Sequence, residues 1–435
     1  MKRAIVVGSG AGGAMAAREL TGAFEVTVLE AGPQFKPFDH DLERLERLRW
    51  SGLFLDPRMI QPLFPAMRVS MAADHMALVY GVATGGTTTL ATGNALRCDD
   101  ALLGVGIDLG EEFEALSAEL PISTEHERRW RPVTQELFSM CEQLGLDPRV
   151  TPKLVDYSRC NRCGRCVLGC PTGAKWDSRD YLQQAVGAGA RLLTDTKVER
   201  LAPGDSGGGT GRVTGVVVRR LGRTEFLPAD LVVLAAGGLG TPAVLRRSGL
   251  TVRDRLFVDP VLCVAAPADG CRADEEVPMP FFVERDGYII SPYFDYLSFF
   301  FNRSWRRPRH DIVTLMIKLA DSEKGSVNGR QKVNKNLSTD DKRRLAQATE
   351  SCTEILTRFG ARRDSVFLGT LNAGHPGGML PLTGLERNQL HADVLPGNVY
   401  VADASLLPQS LGKPPSLTIM ALARRVAGLC RERFG

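Results

Sequence analysis

Four of the ten cysteines fall within eleven positions, as Cys160-x2-Cys163-x2-Cys166-x3-Cys170-Pro171. Thiolates at this spacing on a tight loop converge on one metal centre, and the run is one that ligates iron-sulfur clusters. Gly164 and Gly169 free the backbone to wrap such a centre and turn N–H groups toward sulfur. A [4Fe-4S] cluster is the favoured occupant. The alternatives are a zinc knot on the same thiolates and an empty, vestigial loop; zinc more often takes two CxxC pairs divided by a spacer. In chains with two clusters the fourth cysteine of such a run serves the other cluster. Only one run exists here, so either Cys170 completes the cubane, or a distant cysteine does, or the site holds [3Fe-4S]. Lys153, Arg159, Arg162, Arg165, Lys175 and Arg179 surround the motif. They form either a field that eases reduction and steers an acidic electron-carrier protein, or a solvated basic loop. The other six cysteines are scattered, which argues against a disulfide framework and for a metal site in a reducing cytoplasm.

A second chemistry is written at the start of the chain. Ala4-Ile5-Val6-Val7 suits a buried parallel strand, Gly8-Ser9-Gly10-Ala11-Gly12-Gly13 follows, and Ala14 to Leu20 is a good helix former. Strand, glycine turn and helix in that order make a pyrophosphate site. Gly8 permits the turn, Gly10 and Ala11 let the backbone approach phosphate at a helix N-terminus, and Gly13 lets helix pack close to strand. A second strand, Glu25 to Leu29, ends in Glu30, 22 positions after Gly8, where a carboxylate accepts hydrogen bonds from ribose hydroxyls. A glycine-rich loop without a ligand is the bland alternative.

FAD is selected over NAD by resemblance. Val28-Leu29-Glu30-Ala31-Gly32-Pro33 resembles the FAD-binding start of the glucose-methanol-choline (GMC) oxidoreductases. Gly81 to Thr89, with Gly85, Gly86, Thr87 and Thr88, is similar to that family's loop along the flavin. Leu231 to Pro242, with Ala236, resembles its second signature, and Asn398 to Pro408, with Asp403 and Ala404, its C-terminal flavin segment. The matches keep the family's order. Val198 and Pro415 join the cofactor contacts that the resemblance implies. Read alone, strand Leu231 to Ala235 precedes a helix capped by Thr241 with Pro242 at its first position, and Asp403 is as well suited to capping a helix as to holding the cofactor. The segment Cys166 to Lys175 resembles the ferredoxin-like stretch with which some GMC sugar dehydrogenases hold a cluster beside the flavin.

His375, in Asn372-Ala373-Gly374-His375-Pro376-Gly377-Gly378, resembles the family's active-site His-Pro-x-Gly stretch. The implied role is to take the alcohol proton as hydride leaves for flavin N5, and an ordinary pKa near 6.5 keeps imidazole neutral at pH 7. The family's usual second His or Asn is replaced by Pro414, and Ala91 stands where Asn or His often meets the flavin. Lys413, or a side chain from the substrate sheet, is therefore expected to take part. His40, His75, His126, His310 and His391 have no comparable context.

These groups need a scaffold. At 435 residues the chain is long enough for two to three structural units with full-sized cores. Glycine, 45 of 435 residues, is enriched over the usual ~7%. A formal charge of +4 is too small to point to nucleic acid or a membrane surface. No apolar run reaches the length of a membrane span. Glycines interrupt the N-terminal apolar stretch, so export is expected only as the passenger of a signal-bearing partner. The expected fold is α/β: a Rossmann-like FAD domain of GMC type from 1–259 and 372–435, with a cysteine loop at 155–180 and an antiparallel substrate sheet at 260–371. Ten aromatics between Phe281 and Trp305 suit that sheet and an apolar or ring-shaped substrate. Arg303, Arg306, Arg307, Arg309 and His310 follow as a solvated edge or a carboxylate clamp, and Ser338-x-x-Asp341 caps a helix to about Phe359.

The leading expectation is an FAD-dependent dehydrogenase that oxidises an alcohol, a sugar or cyclic alcohol among the candidates, and passes electrons through the cluster to a protein acceptor. One alternative runs the same wire inward to reduce a carbonyl or activated double bond. Others are a non-catalytic electron-transfer subunit and a zinc-stabilised NAD enzyme.

Overall fold

The computed structural model describes residues 1–50, 60–204 and 211–435. Five parallel strands form one sheet in the spatial order Val399–Val401, Leu231–Leu234, Arg3–Val7, Glu25–Leu29, Arg191–Leu193. Val6 is in register with Val233 on one side and Val28 on the other. Residues 4–7, Leu231–Leu234 and Val399–Val401 are continuous buried apolar runs, as helix-covered parallel strands must be, whereas the edge strand Arg191–Leu193 is partly exposed. Helices Ala11–Leu20 and Ser416–Phe434 pack on each other over this sheet. Four strands thus deliver a functional segment at their carboxyl ends: the glycine turn, Glu30, Ala236 and Asp403. Doubly wound sheets bind ligands at that edge.

Two glycines show why the turn needs its composition. A Cβ on Gly13 would lie 2.0 Å from the Gly8 carbonyl oxygen, and one on Gly12 1.7 Å from that of Ala402. Gly8 itself takes φ +99°. The helix start therefore presses directly on the strands beneath it.

The second sheet is mixed and has nine strands. It runs from Met67–Met71 and Ala77–Gly81 through Asn372–Ala373, Pro260–Pro267, Ile312–Leu319, Tyr288–Pro292 and Phe281–Arg285 to Arg149–Val150, with Phe367–Leu368 also on Pro260–Pro267. Only the join of Asn372–Ala373 to Ala77–Gly81 is parallel. This sheet recruits strands from outside 260–371, at Met67–Met71, Ala77–Gly81, Arg149–Val150 and Asn372–Ala373. Helix Thr339–Arg358 covers it, opened by the Ser338–Asp341 capping box.

Two local readings change. Tyr296–Phe301 is helical, because the Asp295 carboxylate accepts the Leu297 N–H at 3.0 Å and caps a turn that aromatic β-propensity would not foretell. The helix after strand Leu231–Leu234 begins at Gly237, which puts Pro242 inside it. Thr241 is not the cap; its hydroxyl donates to Asp403 Oδ2 at 2.5 Å and accepts from Ala236 N at 3.1 Å. Among the described residues no helix is long and apolar enough to cross a membrane.

Candidate active site

A cleft of about 430 Å³ opens along the carboxyl ends of the parallel strands. From the glycine turn it is lined by Gly8, Gly10 and Ala11, and after the second strand by Glu30 and Ala31. Gly86, Thr87, Thr88, Val198, Ala236, Asp403, Ala404 and Pro415 complete the predicted set on its walls. Gly13 and Gly85 lie behind the wall and act through packing. Gly85 turns the chain at φ +90° into a short helical stretch, Gly86–Leu90.

The donor set fits a dinucleotide. Helix Ala11–Leu20 has no side-chain cap and no acidic residue in its first turn, so its N-terminus is open to phosphate. Glu30 is buried, and its carboxylate accepts from Ser9 N at 3.1 Å, Ser9 Oγ at 2.6 Å and Gly32 N at 2.9 Å. A carboxylate offers about four lone-pair sites, which leaves one for a ribose hydroxyl. Burial raises the Glu30 pKa, and these bonds, with a lesser contribution from the Ala31 N–H, oppose the rise. Asp403 also reaches the cleft, but its bonds are internal: it accepts from Gly237 N, Thr241 Oγ1 and Ser405 N, and caps the helical turn Ala404–Leu406. Of its two expected roles, capping is the one made with hydrogen bonds.

A second cavity, about 170 Å³, adjoins the cleft. Thr87, Thr88, Ala91, Gly374, His375 and Ser416 line both. The inner walls are mainly apolar and aromatic, among them Trp176, Phe300, Phe301 and Met316, with a few polar groups including Asn94, Asp295, Lys318 and Asn372. His375 thus stands where the two spaces meet. Its Nδ1 is buried without a hydrogen-bond partner, 3.7 Å from Asp259 Oδ2, which leaves Nε2 as the nitrogen open to the cavities. Burial, with Lys318 nearby, pushes its pKa down to about 4 against the pull of Asp259, so the ring is neutral. Burial alone would raise Asp259, but Lys318 and His375 outweigh it and hold the carboxyl at about 2.

Lys413 is placed differently from expectation. It pairs with Glu284 and is not on the wall of either cavity, whereas its neighbour Pro414 is. The cation that the structure puts in the inner cavity is Lys318, from strand Ile312–Leu319. Sequence reasoning missed it and Asp259, although a lysine inside a largely apolar eight-residue strand was a visible signal. The arginine-rich stretch serves neither cavity: Arg309 pairs with Asp274 and Glu46, and His310 with Asp274. His126 is a core group, bonded to Thr151 O at 2.8 Å and to Trp130 Nε1 at 2.9 Å.

The cysteine loop reaches the same cavity, with Val167 and Leu168 in its wall. Gly164 (φ +66°) and Gly169 (φ +84°) turn it against Asp274 and Phe35, where a Cβ would lie 1.9 Å and 2.6 Å away. Cys170 Sγ accepts from Lys175 N at 3.4 Å and lies 3.4 Å from Thr172 Oγ1. Burial opposes ionisation of Cys170, but these bonds prevail and lower its pKa. Cys166 is pushed up to about 12 by burial, eased by Lys175 and Lys153. Cys163 interacts electrostatically with Cys160 and Cys170. Among the described residues, three of these sulfurs are nowhere within 4.8 Å of one another; that closeness is met by Asp274, Glu275 and His310, whose two carboxylates are already tied to Arg309 and Arg131. A single zinc ion with ~2.3 Å bonds needs its thiolates near one another. Lys153 and Lys175, read as part of either a steering field or a solvated basic loop, are buried: Lys153 Nζ bonds Asn94 and the Pro278 carbonyl, and Lys175 Nζ donates to the carbonyls of Thr88, Thr89 and Ala91.

Comparison with known proteins bears on the family and the fold. An uncharacterized GMC-type oxidoreductase of Mycobacterium tuberculosis is 29% identical, over 98% of this chain and 75% of that protein. A long-chain-alcohol oxidase of Arabidopsis thaliana is 30% identical over 60% of this chain and 36% of its own length. The crystal structure of pyridoxine 4-oxidase from Mesorbium loti superposes with a TM-score of 0.71, covering 98% of both chains at 18% identity, a likeness of fold. The family model for GMC oxidoreductase matches residues 4–261, more than half the chain, and the protein therefore belongs to the GMC oxidoreductase family.

Proposed function

We propose that this chain is an FAD-dependent oxidoreductase that dehydrogenates a small apolar alcohol in the inner cavity. The observation that carries the reading is the position of His375, neutral and on the shared wall between the dinucleotide cleft and an apolar chamber. GMC oxidoreductases bind FAD, which supplies a two-electron acceptor for the hydride of the carbinol carbon. The chain does the rest. The uncapped helix N-terminus would hold the pyrophosphate and Glu30 a ribose hydroxyl, and the stretch 86–91 lies along the wall shared with the inner cavity. His375 Nε2 accepts the hydroxyl proton, general-base assistance typically worth ~10²–10⁴ in rate. Apolar walls keep water from the reacting carbon. They also favour an apolar alcohol over a sugar, whose many hydroxyls would leave donors and acceptors unpaired there. An engineered apolar cavity of about 150 Å³ takes benzene, so a chamber of about 170 Å³ suits an alcohol near the size of benzyl alcohol.

The same proposal assigns an iron-sulfur cluster to Cys160, Cys163, Cys166 and Cys170, serving to pass electrons singly to a carrier protein or partner subunit. Its supports are the motif's spacing, the hydrogen-bonded Cys170 sulfur, and the loop's share in the cavity wall. A second reading sends electrons to oxygen; it is favoured by the names of relatives such as the long-chain-alcohol oxidase. Anaerobic purification decides the matter. Flavin bleaching by benzyl alcohol, slowed on the order of a hundredfold or more in His375→Ala with flavin retained, supports the dehydrogenase reading; unaltered bleaching in that variant overturns the role of His375. Flavin without iron, with peroxide formed in air, selects the oxygen-dependent reading.

A further inference from the structure

The floor of the inner cavity holds a charged group for which the reaction so far has no task. Lys318 is 1% exposed, within a strand whose residues are all buried. Its Nζ lies 2.7 Å from Asp259 Oδ2, and among the described residues that carboxylate is its one hydrogen-bond partner. An ammonium has three donors. Two are therefore free in a group that lines the substrate chamber. Burying an ammonium with donors unmet is costly, and such a cost persists where a ligand meets them.

Asp259 shows the same bias toward function. It adopts φ +52°, directly before Pro260, a left-handed backbone that is unfavourable for a residue with a side chain. Its other oxygen is fixed by Ser410 Oγ and by Gly412 N at 3.4 Å. The oxygen that faces Lys318 is the one 3.7 Å from His375 Nδ1. One immobile carboxylate thus stands behind both the cation and the base. Pro414 lines the same chamber without a donor, at the position where the resemblance to the GMC family implies a second polar side chain.

We propose that Lys318 is a substrate-binding catalytic residue of this chain, whose free ammonium donors hold the alcohol oxygen, with Asp259 as the residue that positions both Lys318 and His375. The inference rests on reading the inner cavity as the alcohol site. The hydroxyl proton passes to His375 Nε2, the carbinol C–H bond breaks with its electron pair leaving as hydride to FAD, and the C=O bond forms. Negative charge grows on the oxygen meanwhile, and a preorganised cation there favours the transition state over the neutral alcohol. The chamber is then selective for an apolar body carrying one oxygen-bearing head.

Benzoate tests this as an anionic probe, read by the perturbation of the bound flavin's visible spectrum in the holoenzyme, with neutral benzamide as the control. Wild type binds benzoate, and Lys318→Gln weakens it on the order of tenfold or more while changing benzamide less than threefold, as expected for loss of a charged hydrogen bond. Lys318→Arg restores part of the benzoate affinity. If Lys318→Gln does not yield folded holoenzyme because Asp259 is left unpaired, the double variant Lys318→Gln, Asp259→Asn removes both charges and is expected to lose benzoate in the same way. Benzoate bound equally well by either variant, or not bound by wild type, overturns the proposal. Should no apolar alcohol bleach wild-type flavin while the benzoate pattern holds, the alcohol reading fails and the cation site stands.

Discussion

Replacing Lys175 by methionine tests whether the flavin loop and the cysteine loop are one mechanical unit. Lys175 Nζ spends all three donors on carbonyls of the flavin loop, those of Thr88 at 2.9 Å, Thr89 at 2.9 Å and Ala91 at 2.8 Å. Its backbone N–H donates to Cys170 Sγ at 3.4 Å. Methionine matches the length of the side chain and offers no donor. Three buried or half-buried carbonyls then lose their partner, each at about 1–3 kcal/mol. The variant is relieved of burying an ammonium, which offsets part of that. The net destabilisation is about 2–4 kcal/mol, toward the low end of the sum. Because the lost bonds converge on Gly85–Ala91, the effect is local as well as global. Chemical denaturation of the holoprotein should show the lower midpoint, hydrogen exchange should speed at residues 86–91, and FAD should be released more readily on dilution. An unchanged midpoint with unchanged FAD retention would refute the view that Lys175 holds the flavin loop.

Gly12→Ala places a Cβ 1.7 Å from the Ala402 carbonyl and is expected to abolish FAD retention, whereas Gly187→Ala, whose Cβ meets nothing within 4 Å, leaves stability within about 1 kcal/mol; denaturation and flavin content of the two variants check the contrast. His126 and His375 are both held near 4 when folded. The unfolded chain binds a proton at each below about 6.5, so stability falls as pH drops from about 6.5 to about 4, with a slope of up to ~2.7 kcal/mol per pH unit from the pair. Denaturation at stepped pH should show a shallower slope in His375→Asn, and an equal slope would contradict the low value assigned to His375. Leu168→Ala widens the inner cavity from the cysteine loop and should lower stability by about 2–5 kcal/mol while raising the rate for a bulkier alcohol relative to benzyl alcohol; an unmoved preference would take Leu168 out of the substrate wall.

Which of these features were legible in the sequence follows from their range. The glycine turn and Glu30 are local: strand, turn, helix and strand occur within thirty residues, and the parallel pairing of Arg3–Val7 with Glu25–Leu29 brings them to one edge. The capping box at Ser338 is local too and appears as read. Lys318 and Asp259 were out of reach because their meeting depends on an antiparallel register across 59 residues, in which Val261 opposes Lys318. The burial of Lys153 and Lys175 was hidden for another reason. Lysine near a loop is on the surface unless carbonyls are waiting for it, and here those carbonyls come from segments 84–87 and 125 residues away. The helix at Tyr296 was masked by aromatic β-propensity, which a single capping aspartate overrode.

The arrangement of the three loops explains why they belong to one device. Lys175 ties the cysteine loop to the flavin loop. Leu168, in the cysteine loop, accepts the Phe38 N–H at 2.9 Å and walls the alcohol chamber together with Phe38. The His375 loop lines the same chamber and is anchored by the bridge between Gly377 and Phe257. A change in the cysteine loop therefore reaches both the flavin wall and the alcohol wall through direct contacts, without any long relay. Loss of whatever the four thiolates hold is expected to act first on loop geometry, and so to weaken benzoate binding even where no electron is transferred. A cysteine loop that merely decorated the surface would leave that binding untouched.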